Sequence, residues 1–234
     1  MLRVENTEVF GWEAAIRGMR NPMNSWDKSD SLWCHGNMIY CDDCPHFKID
    51  ESGRGGWCDV DQEAFVVGEN DLKLMKTLSK AGTDHSKFLR MINVTVDITA
   101  MQPWWSEFDT YKVGTVRNSC SKMHKIHVKE FTLDDFEHQG IDEVGGSVQW
   151  ALAIVLEQCE WLRKMFNETH EKKYWRALIE LLPEGYRMRA TVQLNYQVLK
   201  SMYFARKDHK LDEWHTLCDW MLTLPYFKEI CVDV

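Results

Sequence analysis

Residues 90–98, read as Arg-Met-Ile-Asn-Val-Thr-Val-Asp-Ile, alternate without a break. Ile92, Val94, Val96 and Ile98 fall on one side of an extended chain, and Asn93, Thr95 and Asp97 fall on the other. A period of two with β-branched residues on the apolar side describes a half-buried strand, so a sheet must exist for it to join.

Most of the remaining sequence reads as helix. Residues 7–21 suggest a short strand or turn leading into a helix that stops before Pro22, because proline disfavours helical geometry in the residue ahead of it. From Asn24 to about Val67 the chain is rich in Ser, Asp, Gly and Cys with no sustained period. Such a stretch is either a functional excursion or a loop stapled by something other than a core. Asn70-Asp71 reads as an N-cap pair for an amphipathic helix carrying Leu72, Leu74, Met75, Leu78 and Ala81, closed by Gly82. Ser147 is expected to cap a helix running to about Asn167, with further helices over about 169–182, 188–207 and 212–223. Few strands and a mostly helical C-terminal half give an α+β class with a mixed sheet. The expected organisation is a single domain over 1–234 with a Cys-rich insertion at about 31–67.

With 234 residues and 44% hydrophobic content, the chain can bury a substantial core. Its longest apolar run is too short to span a bilayer, and Met1-Leu2-Arg3-Val4-Glu5 lacks a signal-peptide pattern, so a cytoplasmic location is expected. A net charge of −8 argues against general nucleic-acid binding. Any phosphate contact must therefore be local. Of eight cysteines, Cys120, Cys159, Cys218 and Cys231 are scattered singly, which suits reduced thiols. Cys34, the Cys41-x-x-Cys44 pair and Cys58 could together hold tetrahedral Zn2+. Reduced structural thiols are the competing reading, since the outer spacings are not those of a standard finger.

The loop from Thr110 to Lys122 has small hydroxyl residues interleaved with cations. Thr115, Ser119, Ser121 and adjacent amides could cradle one anion, with Lys112, Arg117 and Lys122 supplying charge. A solvated loop with ordinary surface cations is the alternative. Trp104-Trp105 with Tyr111 could stack on a planar ring or simply fill core. Asn195 and Arg206, eleven residues apart on the helix expected over 188–207, would share a face after about three turns. His85 near a helix end can donate to a ligand or cap carbonyls.

Taken in order, Gly82 to Lys122 (GTDHSKFLRMINVTVDITAMQPWWSEFDTYKVGTVRNSCSK) resembles the flavin-dependent thymidylate synthases, whose matching stretch carries a GHxSPxEH turn, a strand and the signature RHRxxSxNExSxR. Downstream, Leu182-Pro183, Thr191-Val192, Asn195, Arg206 and the run from His209 to His215 (HKLDEWH) are similar to that family's LP, TVN, LR and HAQxEIR elements. The likeness covers roughly 69–222. It implies the family's fold and a homotetramer with sites built between subunits. FAD would lie on His85, Tyr111, Lys112 and Asn195. A pyrimidine nucleotide, dUMP or a relative, would lie on Thr115, Arg117, Asn118, Ser119, Ser121, Lys122 and Arg206. The implied reaction transfers a one-carbon unit from methylenetetrahydrofolate, with flavin carrying hydride and NADPH restoring it. Departures are substantial: RHR becomes Thr110-Tyr111-Lys112, the turn's Glu-His falls near Phe88-Leu89, and the arginine before LP is replaced by the Leu178-Ile179-Glu180 neighbourhood. The alternative is a nucleotide-binding or interaction protein of the same fold that has lost flavin chemistry.

Overall fold

The computed structural model describes residues 1–34, 47–49, 56–58 and 64–234. Strand β1 (Arg3–Phe10) leads into helix α1 (Trp12–Arg20). Short strands β2 (Leu32–Cys34), β3 (Phe47–Ile49), β4 (Gly56–Cys58) and β5 (Ala64–Val66) precede α2 (Glu69–Lys80). Strand β6 (Asn93–Met101) runs directly into α3 (Gln102–Phe108), and β7 (Val116–Ser119) leads to the one-turn α4 (Lys122–Lys125). Helices α5 (Gln139–Val144), α6 (Ser147–Thr169) and α7 (Lys172–Leu181) come before β8 (Arg187–Asn195), α8 (Tyr196–Arg206) and α9 (Asp212–Thr223). The class is α+β. No helix among the described residues is long and apolar enough to cross a membrane.

The chain forms two compact units, each discontinuous in sequence. The first comprises Met1–Glu8, Val94–Leu194 and Ser201–Thr223. It contains the four-stranded sheet, in the order β1-β6-β8-β7 with β7 antiparallel to β8. Val94, Val96, Ile98 and Ala100 of β6 are buried, as the alternation requires. Each such side chain taken fully out of water contributes about 1.5–3 kcal/mol for the larger aliphatics.

The helix expected over 188–207 is corrected here. Residues 187–195 are strand, and Met188, Ala190, Val192 and Leu194 are buried at every second position. The period of two was present, but charged and amide residues fill the alternate positions. Pairing with neighbouring strands outweighs the weak helical preference of those residues. Trp104 and Trp105 are fully buried, so they are core and not a platform for a planar ligand. Trp105 Nε1 donates to the Met188 carbonyl at 3.0 Å, and the Trp104 ring lies 5.0 Å from that of Trp214 on α9. A second cluster joins α6 to α7 through Cys159, Leu162 and Leu178, with Ile126 beside them.

The other unit comprises Val9–Asn93, Asn195–Lys200 and Leu224–Val234. Its aromatic core sets Trp12 edge-on to Tyr196 and Tyr226, each at 5.6 Å. Gly11 sits at φ 95°, and a β-carbon there would collide with the Met91 carbonyl oxygen. Only glycine meets both demands. The N-cap expected at Asn70-Asp71 is also corrected: α2 begins at Glu69 with Gly68 as its cap. Asp30 supplies the capping carboxylate, accepting from the Asn70 and Asp71 N–H groups at 2.8 and 3.1 Å. Asp71 instead turns inward to Arg20 Nε, 2.6 Å away.

Two short ladders, β2 with β5 and β3 with β4, lie in the stretch that looked irregular in sequence. Cys34 is buried on β2, and Cys58 pairs in register with Phe47. Cys41 and Cys44 lie outside the described residues. Among the described residues no group of three or more His, Cys, Asp or Glu side chains could hold a metal ion.

Burial raises the thiols of Cys159 and Cys218 to about 11 and that of Cys231 to about 12, while Cys120 is exposed. Iodoacetamide applied to the native protein at about pH 8 is expected to modify Cys120 quickly and to spare those three until denaturant is added. Peptide mass mapping checks this, and rapid native labelling of Cys159, Cys218 or Cys231 would contradict their placement.

Candidate functional site

The loop between α3 and β7 carries the most chemistry. It is pinned at its start by the Tyr111 N–H donating to the Phe108 carbonyl at 3.0 Å and by Thr110 Oγ1 donating to the Glu107 carbonyl at 2.8 Å. Gly114, at φ 82°, then turns the chain back towards β7. Between these points lies a cavity of about 240 Å³ lined by Phe108, Asp109, Tyr111, Lys112, Thr115 and Arg117. Four of the predicted residues, Tyr111, Lys112, Thr115 and Arg117, therefore share one wall.

The electrostatics of that wall are specific. Arg117 Nη1 bonds Asp109 Oδ1 at 2.8 Å, and its guanidinium stacks 4.6 Å from the Trp105 ring centroid. This holds the cation flat and half neutralised. Lys112 is exposed and forms no ion pair among the described residues. The Thr115 hydroxyl is buried and has no hydrogen-bond partner among the described residues. A buried hydroxyl without a partner costs about 1–3 kcal/mol, so one on a residue that lines a cavity is a candidate contact for a ligand atom or an ordered water.

Arg206, at the C-terminal end of α8, meets the same loop from the side. Its Nε donates to the Tyr111 hydroxyl at 2.9 Å, and its Nη1 donates to Glu107 Oε2 at 2.7 Å. The guanidinium also faces the Trp214 ring at 4.6 Å. Glu107, His209 and Trp214 were not singled out from sequence as site residues. The signals for them were the i, i+4 spacing of Glu107 and Tyr111 and the run from His209 to His215 that resembles the HAQxEIR element.

The other predicted residues lie elsewhere. Asn118 sits on the opposite side of β7 from Arg117, because neighbouring strand residues point to opposite faces. Ser119 is in the β7 ladder opposite Ala190. Ser121 caps α4, accepting from the His124 N–H at 3.2 Å, and Lys122 Nζ donates to Gln102 Oε1 at 2.9 Å. Asn195 does not share a helix face with Arg206. It ends β8, and its side-chain oxygen accepts from the Val198 N–H at 3.1 Å as the cap of α8. His85 is exposed in the turn after α2.

Two further polar features belong to the sheet unit. Asp97, on the wet side of β6, accepts from Thr191 Oγ1 at 2.5 Å, Asn6 Nδ2 at 2.8 Å and Arg189 Nη2 at 2.7 Å. Those bonds hold its carboxyl well below the usual range. A larger cavity, about 450 Å³, is lined by Met101, Glu137, His138, Leu211 and Glu213 among others. It contains none of the predicted residues. Of its carboxylates, Glu137 is committed, pairing with Arg187 at 3.0 Å and with the Met1 amine. The smaller cavity is the better candidate, because it combines an uncommitted cation with an orphaned hydroxyl.

No protein-family model matches the chain, and no curated protein matches it. Solved structures do. The chain is similar in fold to flavin-dependent thymidylate synthase ThyX from Helicobacter pylori complexed with FAD and dUMP. That similarity has 15% identity and a TM-score of 0.63, covering 99% of this chain and 98% of that one. A second structure of Thymidylate Synthase X from Helicobacter pylori with FAD and dUMP gives 14% identity and a TM-score of 0.64, with 100% of this chain and 98% of that one covered. The fold is thus that of the flavin-dependent thymidylate synthases over essentially the whole chain.

Proposed function

We propose that this protein binds a pyrimidine nucleotide of the dUMP class through the Tyr111–Arg117 loop. On the same reading it transfers a one-carbon unit to that nucleotide with FAD as cofactor. The observation that carries the reading is the cavity gathering Tyr111, Lys112, Thr115 and Arg117 around an unpartnered buried hydroxyl. Lys112 and Thr115 would hold phosphoryl oxygens, and Arg117 would add charge from its stacked position over Trp105.

The donor set fits one phosphoryl group of FAD or of the nucleotide. At about 240 Å³ the cavity falls below the span of about 300–1,000 Å³ usual for whole-ligand pockets, so one chain supplies only part of a dinucleotide site. When bound, FAD supplies hydride chemistry, with methylenetetrahydrofolate as one-carbon donor and NADPH as reductant. The residues named here position and neutralise charge. A homotetramer would complete the walls. Helix α6 supports assembly, with Trp150 75% exposed and Ile154 and Trp161 following along the helix at 49% each. Solvent-facing apolar residues on one helix are the usual mark of a buried contact with another chain.

A second reading, nucleotide binding without flavin chemistry, is favoured by one observation. Thr110-Tyr111-Lys112 offers one cation where the resembling family has two arginines and a histidine.

The test is an absorbance spectrum with added FAD together with thermal melts in dUMP. Flavin absorbance near about 450 nm retained through gel filtration supports the enzyme. Saturating dUMP, at about 100 times Kd, adds about 2.7 kcal/mol of stability, which raises Tm by several degrees. A colourless protein stabilised by dUMP supports the second reading. Absence of both flavin retention and a shift with dUMP would refute both readings.

A further inference from the structure

Glu107 occupies an unusual position at the end of α3. A single carboxylate oxygen, Oε2, lies 2.7 Å from Arg206 Nη1, 2.9 Å from Trp214 Nε1 and 3.2 Å from His209 Nε2. His209 Nδ1 accepts the Leu211 N–H at 3.1 Å, so in the neutral ring the proton sits on Nε2 and points at Glu107. Arg206 is held by Tyr111 through its Nε and lies over the rings of Tyr111 and Trp214. These donors come from α8, the turn after it and α9, and they converge on one negatively charged atom.

Such a convergence is what an oxyanion-binding site looks like with an oxyanion in it. The donors are anchored independently of the anion: the Trp214 side chain is fully buried, and Arg206 is only 17% exposed. Glu107 is 35% exposed. Rotation about its side-chain torsions can carry the carboxylate into solvent without moving α3, leaving the donors in place. Tyr111 belongs both to this cluster and to the wall of the adjacent cavity.

We propose that Arg206, His209 and Trp214 form an oxyanion cradle that Glu107 fills from within, and that the phosphate monoester of an incoming nucleotide enters by displacing Glu107. This inference rests on the nucleotide-binding reading and deepens it. Glu107 is then an internal competitor that lowers affinity for phosphate esters and keeps the donors satisfied while the site is empty. Lys112 and Thr115, which line the adjacent cavity together with Tyr111, would take the rest of the ligand.

The test is calorimetric titration of dUMP, inorganic phosphate and deoxyuridine into the wild-type protein and the Glu107→Gln and Glu107→Asp variants, with circular dichroism to establish folding. Glutamine keeps the shape but removes the charge, and aspartate withdraws the charge by one methylene. Removing a competing charge-assisted contact should tighten dUMP and phosphate binding by about tenfold or more in at least one folded variant. Deoxyuridine, which has no phosphate, should bind unchanged. The gain should vanish in Glu107→Gln/Arg206→Met. If the wild type binds dUMP and neither folded variant binds it more tightly, or if the gain survives loss of Arg206, the cradle is wrong while the nucleotide site stands. If neither dUMP nor phosphate binds wild type or variants, the nucleotide reading itself fails and the cradle with it.

Discussion

Replacing Asp71 with alanine is expected to lower folding stability by about 3–5 kcal/mol, the range for breaking one side of a buried ion pair. Asp71 is fully buried and Arg20 is 4% exposed. Asp71 Oδ1 accepts from Arg20 Nε at 2.6 Å, and Oδ2 accepts from the hydroxyls of Ser29 and Ser31 at 2.8 and 2.7 Å and the N–H groups of Asp30 and Ser31 at 3.2 Å each. Arg20 also donates to the Ser25 and Lys28 carbonyls. Alanine would strand a buried guanidinium and several donors at once. The paired substitution Arg20→Met/Asp71→Leu, which removes both charges, should cost much less. Urea denaturation read through the midpoint and slope measures both variants, and equal losses would remove the stranded charge as the cause.

The pH dependence of this pair has a definite sign. Burial works to raise the Asp71 carboxyl, but hydrogen bonds from Ser31, Ser29 and Arg20 together outweigh it and hold the group below its ordinary value of 3.8. A depressed carboxyl contributes stability that is complete above the unfolded value and is lost as pH falls through the lower folded value. Wild type should therefore lose stability on acidification below about pH 4 more steeply than Asp71→Asn.

Replacing Arg206 with alanine should weaken dUMP binding at least tenfold, which corresponds to about 1.4 kcal/mol. That is a conservative figure, because one charge-assisted hydrogen bond is worth about 1.5–3 kcal/mol. Lysine should not restore the loss: it can neither hold Tyr111 while presenting the paired guanidinium donors of Arg206 to a phosphate, nor lie flat on the Trp214 ring. Calorimetry on folded Arg206→Ala and Arg206→Lys provides the check. An affinity equal to wild type would take Arg206 out of the site. The Trp214–Glu107 bond, 2.9 Å long, does not involve Arg206, so both variants are expected to fold.

Periodicity along the chain was legible where it was clean. The alternation from Ile92 to Ile98 became β6, the Leu72–Ala81 pattern became most of α2, and the helix expected from Ser147 became α6, although Gly146 and not Ser147 is its N-cap. The loop around Thr115 was legible as a polar turn with cations, because small hydroxyl residues alternate there with Lys and Arg. Strand β8 was not, since Arg187, Arg189 and Gln193 suit a helix surface as well as a sheet surface. Only the neighbouring strands decide between them.

What the sequence determined by itself is local: where the backbone favours a period of two or of 3.6, which residues are apolar enough to leave water, and which loop concentrates hydroxyls and cations. Which charges meet was decided by tertiary structure. Arg20 finds Asp71 across 51 residues, and Arg206 finds Glu107 across 99. The physical reason is that an ion pair's energy depends on separation and burial in space, and neither is encoded in spacing along the chain. Folding turned a helical arginine that could have faced solvent into the central donor of a cluster around one carboxylate oxygen.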